Sequence, residues 1–171
     1  GGGGGGGGGG ATSGQVANAP PQHLCDKPLT ATDARGNVTD FTYDPVHGGI
    51  LTETGPPDAN GVRPQTRYVW QQYTTNWNGG SGTIWLLAST SQCISSASCA
   101  GTADEVVTTY TYDPANNLNL IGTTVRAGDN SMSRTTSITY DAFGNKLSED
   151  GPLTGTADTR YWRYDAARRV T

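Results

Sequence analysis

Residues 136–153 read TSITYDAFGNKLSEDGPL, and residues 40–57 read DFTYDPVHGGILTETGPP. Both run Tyr-Asp, a Gly/Asn-rich turn, Leu, then Gly-Pro. Before each Asp the aromatic and aliphatic residues alternate: Phe41 and Tyr43 in one, Ile138 and Tyr140 in the other. Alternation at period two puts each set on one face of a strand. An Asp side chain hydrogen-bonds backbone amides two residues on and so seeds a turn. Each stretch therefore predicts a β-hairpin, with the Tyr and the returning aliphatic on its inward side.

The pattern recurs in TDARGNV (32–38), YDPVHGGIL (43–51), YDPANNL (112–118), YDAFGNKL (140–147) and YDAARRV (164–170). The repeated positions are Tyr43-Asp44, Tyr112-Asp113, Tyr140-Asp141 and Tyr164-Asp165. Three residues after the Asp stands Gly36, Asn116 or Gly144, residue types that tolerate positive φ. His47 fills that place in the second copy, which delays its glycines and predicts a loop one residue longer. Arg168 fits a left-handed site badly. The expected returning residues are Ile50, Leu118, Leu147 and Val170.

The likeness extends beyond the turns. LTETGPP (51–57) matches LSEDGPL (147–153), and QTRYVW (65–70) matches DTRYWR (158–163). The unit reads as strand, turn, strand, Gly-Pro corner, strand. Repeats of this length cannot bury a face alone and must stack. Residues 71–105 break the rhythm. Within them TNWNGGSGTIWLL (75–87) reads as a hairpin with a glycine-rich tip, and the segment as an irregular insertion or an enlarged repeat. The glycines at 1–10 read as a tag, linker or placeholder, residues 11–30 as an extended lead-in, and 31–171 as the repeat region.

Leu, Ile, Val and Phe together number 25, no more than Thr. Thr, Tyr and Trp suit a pleated, half-buried surface, so the composition favours many short strands around a thin core. The net charge of −4 offers no footprint for nucleic acid or an anionic membrane. No apolar run approaches the ~20 residues of a membrane span, and no secretory signal is visible. Cys93 and Cys99 flank the small polar loop ISSAS. A disulfide there closes easily and contributes roughly 2 kcal/mol by loop entropy. Cys25 is left over, either free or paired outside the chain.

The Tyr-Asp units, YDAFGNKLSEDGPL and RYDAARRV above all, resemble the YD-repeat, or Rhs-repeat, family over about residues 31–171. The departures are Thr32 in place of Tyr, Arg168 in place of Gly, and the segment 71–105. The resemblance implies an all-β chain whose antiparallel hairpins wind as a spiral sheet, part of a large shell in bacterial secreted or surface proteins. Animal teneurins are relatives. The family's self-cleaving motif around Asp-Pro-x-Gly-Leu has no counterpart: the Asp-Pro pairs at 44–45 and 113–114 belong to repeat turns.

Chemistry-bearing residues are sparse. Asp44, Asp113, Asp141 and Asp165 recur at one structural place, which argues for turn-making over an acid/base pair, since such a pair is singular and asymmetric. His23 and His47 join no triad or metal pattern. Trp70, Trp77 and Trp85 form the richest aromatic set with Tyr68, Tyr73 and Trp162. They fill a core short of aliphatics or, exposed, stack on sugar rings. No catalytic residue, metal or cofactor is expected. The expected role is a non-enzymatic scaffold or shell segment, extracellular or at the cell surface. Its partners would be other YD repeats of the same or neighbouring chains. Two alternatives are a homo-oligomeric filament subunit joined by edge strands, and a carbohydrate-binding surface module.

Overall fold

Thirteen-residue strands are long for a globular protein, yet the fourth strand here reaches that length and the fifth exceeds it. The computed structural model describes Leu24 and residues 26–77, 79–96 and 98–171. The glycine tract, the lead-in up to residue 23, and Cys25 lie outside the described residues. The strands are β1 (Thr30–Thr32), β2 (Val38–Tyr43), β3 (Ile50–Thr54), β4 (Gln65–Trp77), β5 (Gly80–Cys93), β6 (Glu105–Tyr112), β7 (Leu120–Ala127), β8 (Ser133–Tyr140), β9 (Lys146–Asp150) and β10 (Arg160–Tyr161). They form one open antiparallel sheet in sequence order, β1 to β10. The all-β expectation holds at this level. The core is thinner still than composition suggested: among the described residues only Cys93, Cys99 and Val107 are buried apolar side chains.

With so little burial, register must be pinned another way. Tyr43, Tyr112 and Tyr140 each sit at a bulge, where the ladder to the following strand slips by one residue. Their ladder partners are Ile50, Leu120 and Lys146. Each hydroxyl then donates to a main-chain carbonyl behind it, on the preceding strand for all but Tyr43, whose acceptor lies just before β1. Tyr140 reaches Leu120 O at 2.9 Å, and Tyr164 reaches Lys146 O at 2.9 Å. Those acceptors are the residues opposite the previous tyrosine. Tyr112 donates to Leu87 O at 2.9 Å, and Tyr43 to Pro28 O at 2.8 Å.

Trp70 completes the series. It sits at the same kind of bulge opposite Leu87, and its indole N–H donates to Ile50 O at 2.8 Å. Trp70 and Leu87 thus stand where Tyr43 and Ile50 stand, and residues 71–86 take the place of a turn. The irregular insertion expected at 71–105 is two separate things. One is a hairpin arm that replaces a turn. The other is the β5–β6 loop, 94–104, at the far end of the sheet.

Three finer expectations are corrected. The returning aliphatics Leu118 and Leu147 are 52% and 38% exposed, because the ladder partners are Leu120 and Lys146, two and one residues away; Val170 does stand opposite Tyr164 but is 65% exposed. Positive φ falls on Asn117, at 54°, and not on Asn116; compared with the 141–145 turn, the loop after Asp113 is two residues longer, and the one after Asp44, where Gly48 takes φ 69°, is one residue longer. Both longer loops follow Asp-Pro. Arg168 does adopt φ 60°. Finally, the matched letters Thr-Arg-Tyr at 66–68 and 159–161 are not matched places. Thr66 lies opposite Glu53, whereas Arg160 lies opposite Glu149. This one-residue offset puts Tyr68 and Tyr161 on opposite faces. It lets Trp70 align with Tyr164.

Antiparallel connections alternate between the two ends of the sheet. The turns at 44–49, 113–119, 141–145 and 165–169 and the arm share one end, called here the tyrosine end. The turn at Asp33, grouped with them by sequence, lies at the opposite end with the Gly-Pro corners. Thr32 replaces Tyr there because that end has no register point to hold. Arg63 ties the first corner, donating to Asp40 at 2.7 Å and to Gly55 O at 2.8 Å.

Replacing Tyr140 by Phe removes one hydroxyl–carbonyl bond and leaves the ring. We expect a loss of about 0.5–1.5 kcal/mol in urea unfolding. Tyr161→Phe, at a site 68% exposed, should leave the midpoint unchanged.

Candidate functional site

At the tyrosine end each turn is built by its aspartate. The Oδ1 of Asp44, Asp113, Asp141 and Asp165 accepts the amide two residues on, from Val46, Ala115, Phe143 and Ala167 at 2.7–2.9 Å. In the shorter loops Oδ1 also takes the amide four residues on, from Asn145 and Arg169. Gly144 then turns the chain at φ 83°. Side-chain donation from Asn145 is the main cause holding Asp141 below the ordinary carboxylate pKa. For Asp165 the main cause is the Arg169 amide. These carboxylates are engaged with backbone donors, which suits turn-making and not proton transfer.

Sequence reasoning missed two such turns; in the one between β7 and β8, Asp129 accepts the Ser131 amide at 2.9 Å. In the other, Asp58 accepts the amides of Asn60 and Val62 at 2.8 and 2.9 Å, and Gly61 follows at φ 79°. The signal there was the Asp-x-x-Gly spacing that Asp33 and Asp141 share. At Asp58 a proline, not an aromatic or Thr, precedes the Asp, which sets this turn outside the recurring pattern.

The arm dominates the tyrosine end. A two-stranded ribbon twists strongly, and here each arm strand lies against the turn beyond the other. Trp85 of β5 stacks on His47 of the 44–49 turn, ring centroids 4.4 Å apart. Trp70 packs on the other side of the same histidine at 5.4 Å. The His47 Nδ1 accepts the Gly49 amide, so the imidazole is held in place as a spacer between the two indoles. On β4, Tyr73 meets Tyr112 edge-on at 5.4 Å, and the Asn117 side chain donates to Thr74 O at 2.7 Å. Thr75 is 1% exposed and donates to Gly82 O within the arm.

The three tryptophans singled out as sugar-stacking thus have different fates. Trp70 serves the register series, Trp85 stacks one face on His47 and stays 39% exposed, and Trp77 at the arm tip is 53% exposed. Beside Trp77 a cleft of about 440 Å³ opens between the arm tip and the turns at 113–119 and 140–144, lined by Asn76, Asp113, Asn116, Asn119 and Phe143 among others.

At the opposite end Cys93 and Cys99 are joined, as their spacing predicted, with sulfurs 2.05 Å apart. Their sulfurs and Asp104 lie close together, but the disulfide removes both thiolates as metal ligands. Asp104 instead accepts the amides and hydroxyls of Ser95 and Ser96, and the serine hydroxyls depress its pKa most. Glu105 fastens this loop to the sheet: it accepts the Gly101 amide at 2.8 Å, the main cause of its lowered pKa, and faces Arg67 at 3.5 Å. Among the described residues, no helix is long and apolar enough to cross a membrane.

No protein-family model matches the chain, and no curated protein matches it in sequence.

A carboxylate whose folded pKa is depressed stabilises the fold above its unfolded value, and that contribution is lost as pH falls through the folded value. Asp33, Asp104, Asp129, Asp141 and Asp165 are all depressed. The thermal midpoint should therefore hold between about pH 5 and 7 and drop below about pH 4. Asp141→Asn should flatten that acid limb in circular dichroism melts.

Proposed function

We propose that the chain is a non-catalytic wall segment of a YD-repeat scaffold, extracellular or at the cell surface, whose hairpins wind as part of a spiral sheet. The observation that carries this reading is the aromatic series at the tyrosine end. Each member donates to the residue opposite its predecessor. Such a series is translational: every unit needs a neighbour and none needs a centre. That is the logic of a repeat array. Repetition of the turn carboxylates, and their engagement with amides, supports a role without an active site.

Two further features support it. The sheet keeps large apolar side chains at its surface, with Val69, Val125 and Met132 at 55%, 42% and 60% exposure, so its natural partners are more repeats of the same or neighbouring chains. The disulfide suits an oxidising compartment.

Electron cryomicroscopy of the native polypeptide that carries this sequence tests the proposal. The expected result is a continuous wall of hairpins curving around an enclosed space. Finding the chain as a free-standing module or a fibre-building subunit overturns it. The compartment has its own check: intact-mass analysis of native material should show Cys93 and Cys99 oxidised. The double substitution Cys93→Ala, Cys99→Ala should cost about 2 kcal/mol in urea unfolding.

A further inference from the structure

We propose that the cleft between the arm tip and the 113–119 and 140–144 turns is a binding site for a neutral saccharide, with Trp77 as its stacking platform. The glycine-rich tip explains how the platform is held. A Cβ on Gly80 would come within 2.7 Å of the Trp77 indole nitrogen, and one on Gly82 within 3.0 Å of its six-membered ring. The bare glycine backbone is the seat on which the indole lies, leaving the ring 53% exposed. Capping the hairpin tip accounts for the seat but not for the cleft beside it. Phe143, 70% exposed, stands at the cleft's other margin. The Arg168 guanidinium, which is not among the cleft's lining residues, lies over the ring 4.5 Å from its centroid.

Between these rings the lining is rich in groups that pair with vicinal hydroxyls. Asn116 Oδ1 accepts from the Leu118 amide, and among the described residues its Nδ2 has no partner. Asp113 Oδ1 accepts from the Ala115 amide, and its Oδ2 likewise has none among them. Asn76 and Asn119 also line the space. Two ring faces flanking planar amides and a carboxylate match a pyranose, with its apolar faces and hydroxyl rim. No Lys or Arg lines the cleft, while Asp113 and Asp141 do, which excludes acidic sugars and phosphates as the preferred class. The volume, about 440 Å³, lies in the range of small-molecule sites. The site is separate from the wall role: it lies between the arm tip and the turns beside it and needs no closed shell.

The test uses the ¹⁵N-labelled full chain with maltohexaose, cellohexaose and N-acetylchitohexaose as probes, followed at the side-chain amides of Asn76, Asn116 and Asn119 and the indole of Trp77. At least one hexasaccharide should shift these signals saturably and ahead of all others. Trp77→Ala should then weaken binding at least about tenfold, while Trp85→Ala leaves it unchanged. Asn119→Ala, which leaves the arm intact, should also weaken it. If none of the three probes moves these signals, or if Trp77→Ala and Asn119→Ala both bind as tightly as the parent, the site is not there. Equal affinity for polygalacturonate would overturn the preference for a neutral ligand.

Discussion

A single sheet with almost no buried side chains must hold its register by directed bonds. An apolar face specifies register because a slip of one residue exposes it. Here both faces are half-exposed, so that penalty is weak. The replacement is a hydrogen bond from an aromatic side chain to a main-chain carbonyl one strand back. Tyr140 to Leu120 and Tyr164 to Lys146 show the rule plainly. The bulge at each aromatic re-aims the side chain toward that carbonyl. Each such bond is worth only about 1 kcal/mol net. Its importance lies in choosing one pairing among near-equal alternatives.

The aspartates act at a different level. They shape the turn that follows each aromatic, and they do so wherever a turn is needed, at either end of the sheet. Asp33 and Asp58 make the same bonds as Asp141, yet none of their neighbours anchors a strand. Tyr-Asp is therefore two devices written side by side. The Asp closes the turn into the following strand, and the Tyr ties its own strand to the one behind. Their combination marks every turn of the tyrosine end except the arm, where Trp70 stands without an aspartate.

Much of this was legible in the letters. Period-two alternation and Asp-x-x-Gly placed the hairpins, and the Cys93–Cys99 spacing placed the disulfide. The role of Trp70 was not legible, because an indole N–H can replace a phenol only when the register puts it over the right carbonyl. That register was hidden by the Thr-Arg-Tyr match, which is one residue out of step. The exposure of Leu118 and Leu147 escaped for a related reason: which residue faces a tyrosine depends on the bulge. Of the candidate sugar-stacking residues, sequence supplied all three tryptophans. It could not tell that His47 stacks on one, that Ile50 engages another, and that bare glycines seat the third.

The arm shows what the register series permits. Between Tyr140 and Lys146 the chain makes a five-residue turn; between Trp70 and Leu87 it runs out through a ribbon and back, with the same bond to the carbonyl behind. Closing a longer excursion costs little extra entropy, since the cost grows only with the logarithm of length. The positions between an aromatic and its opposite number are thus open sockets along one rim. Segments of very different size can be grafted there while the masonry beneath stays the same.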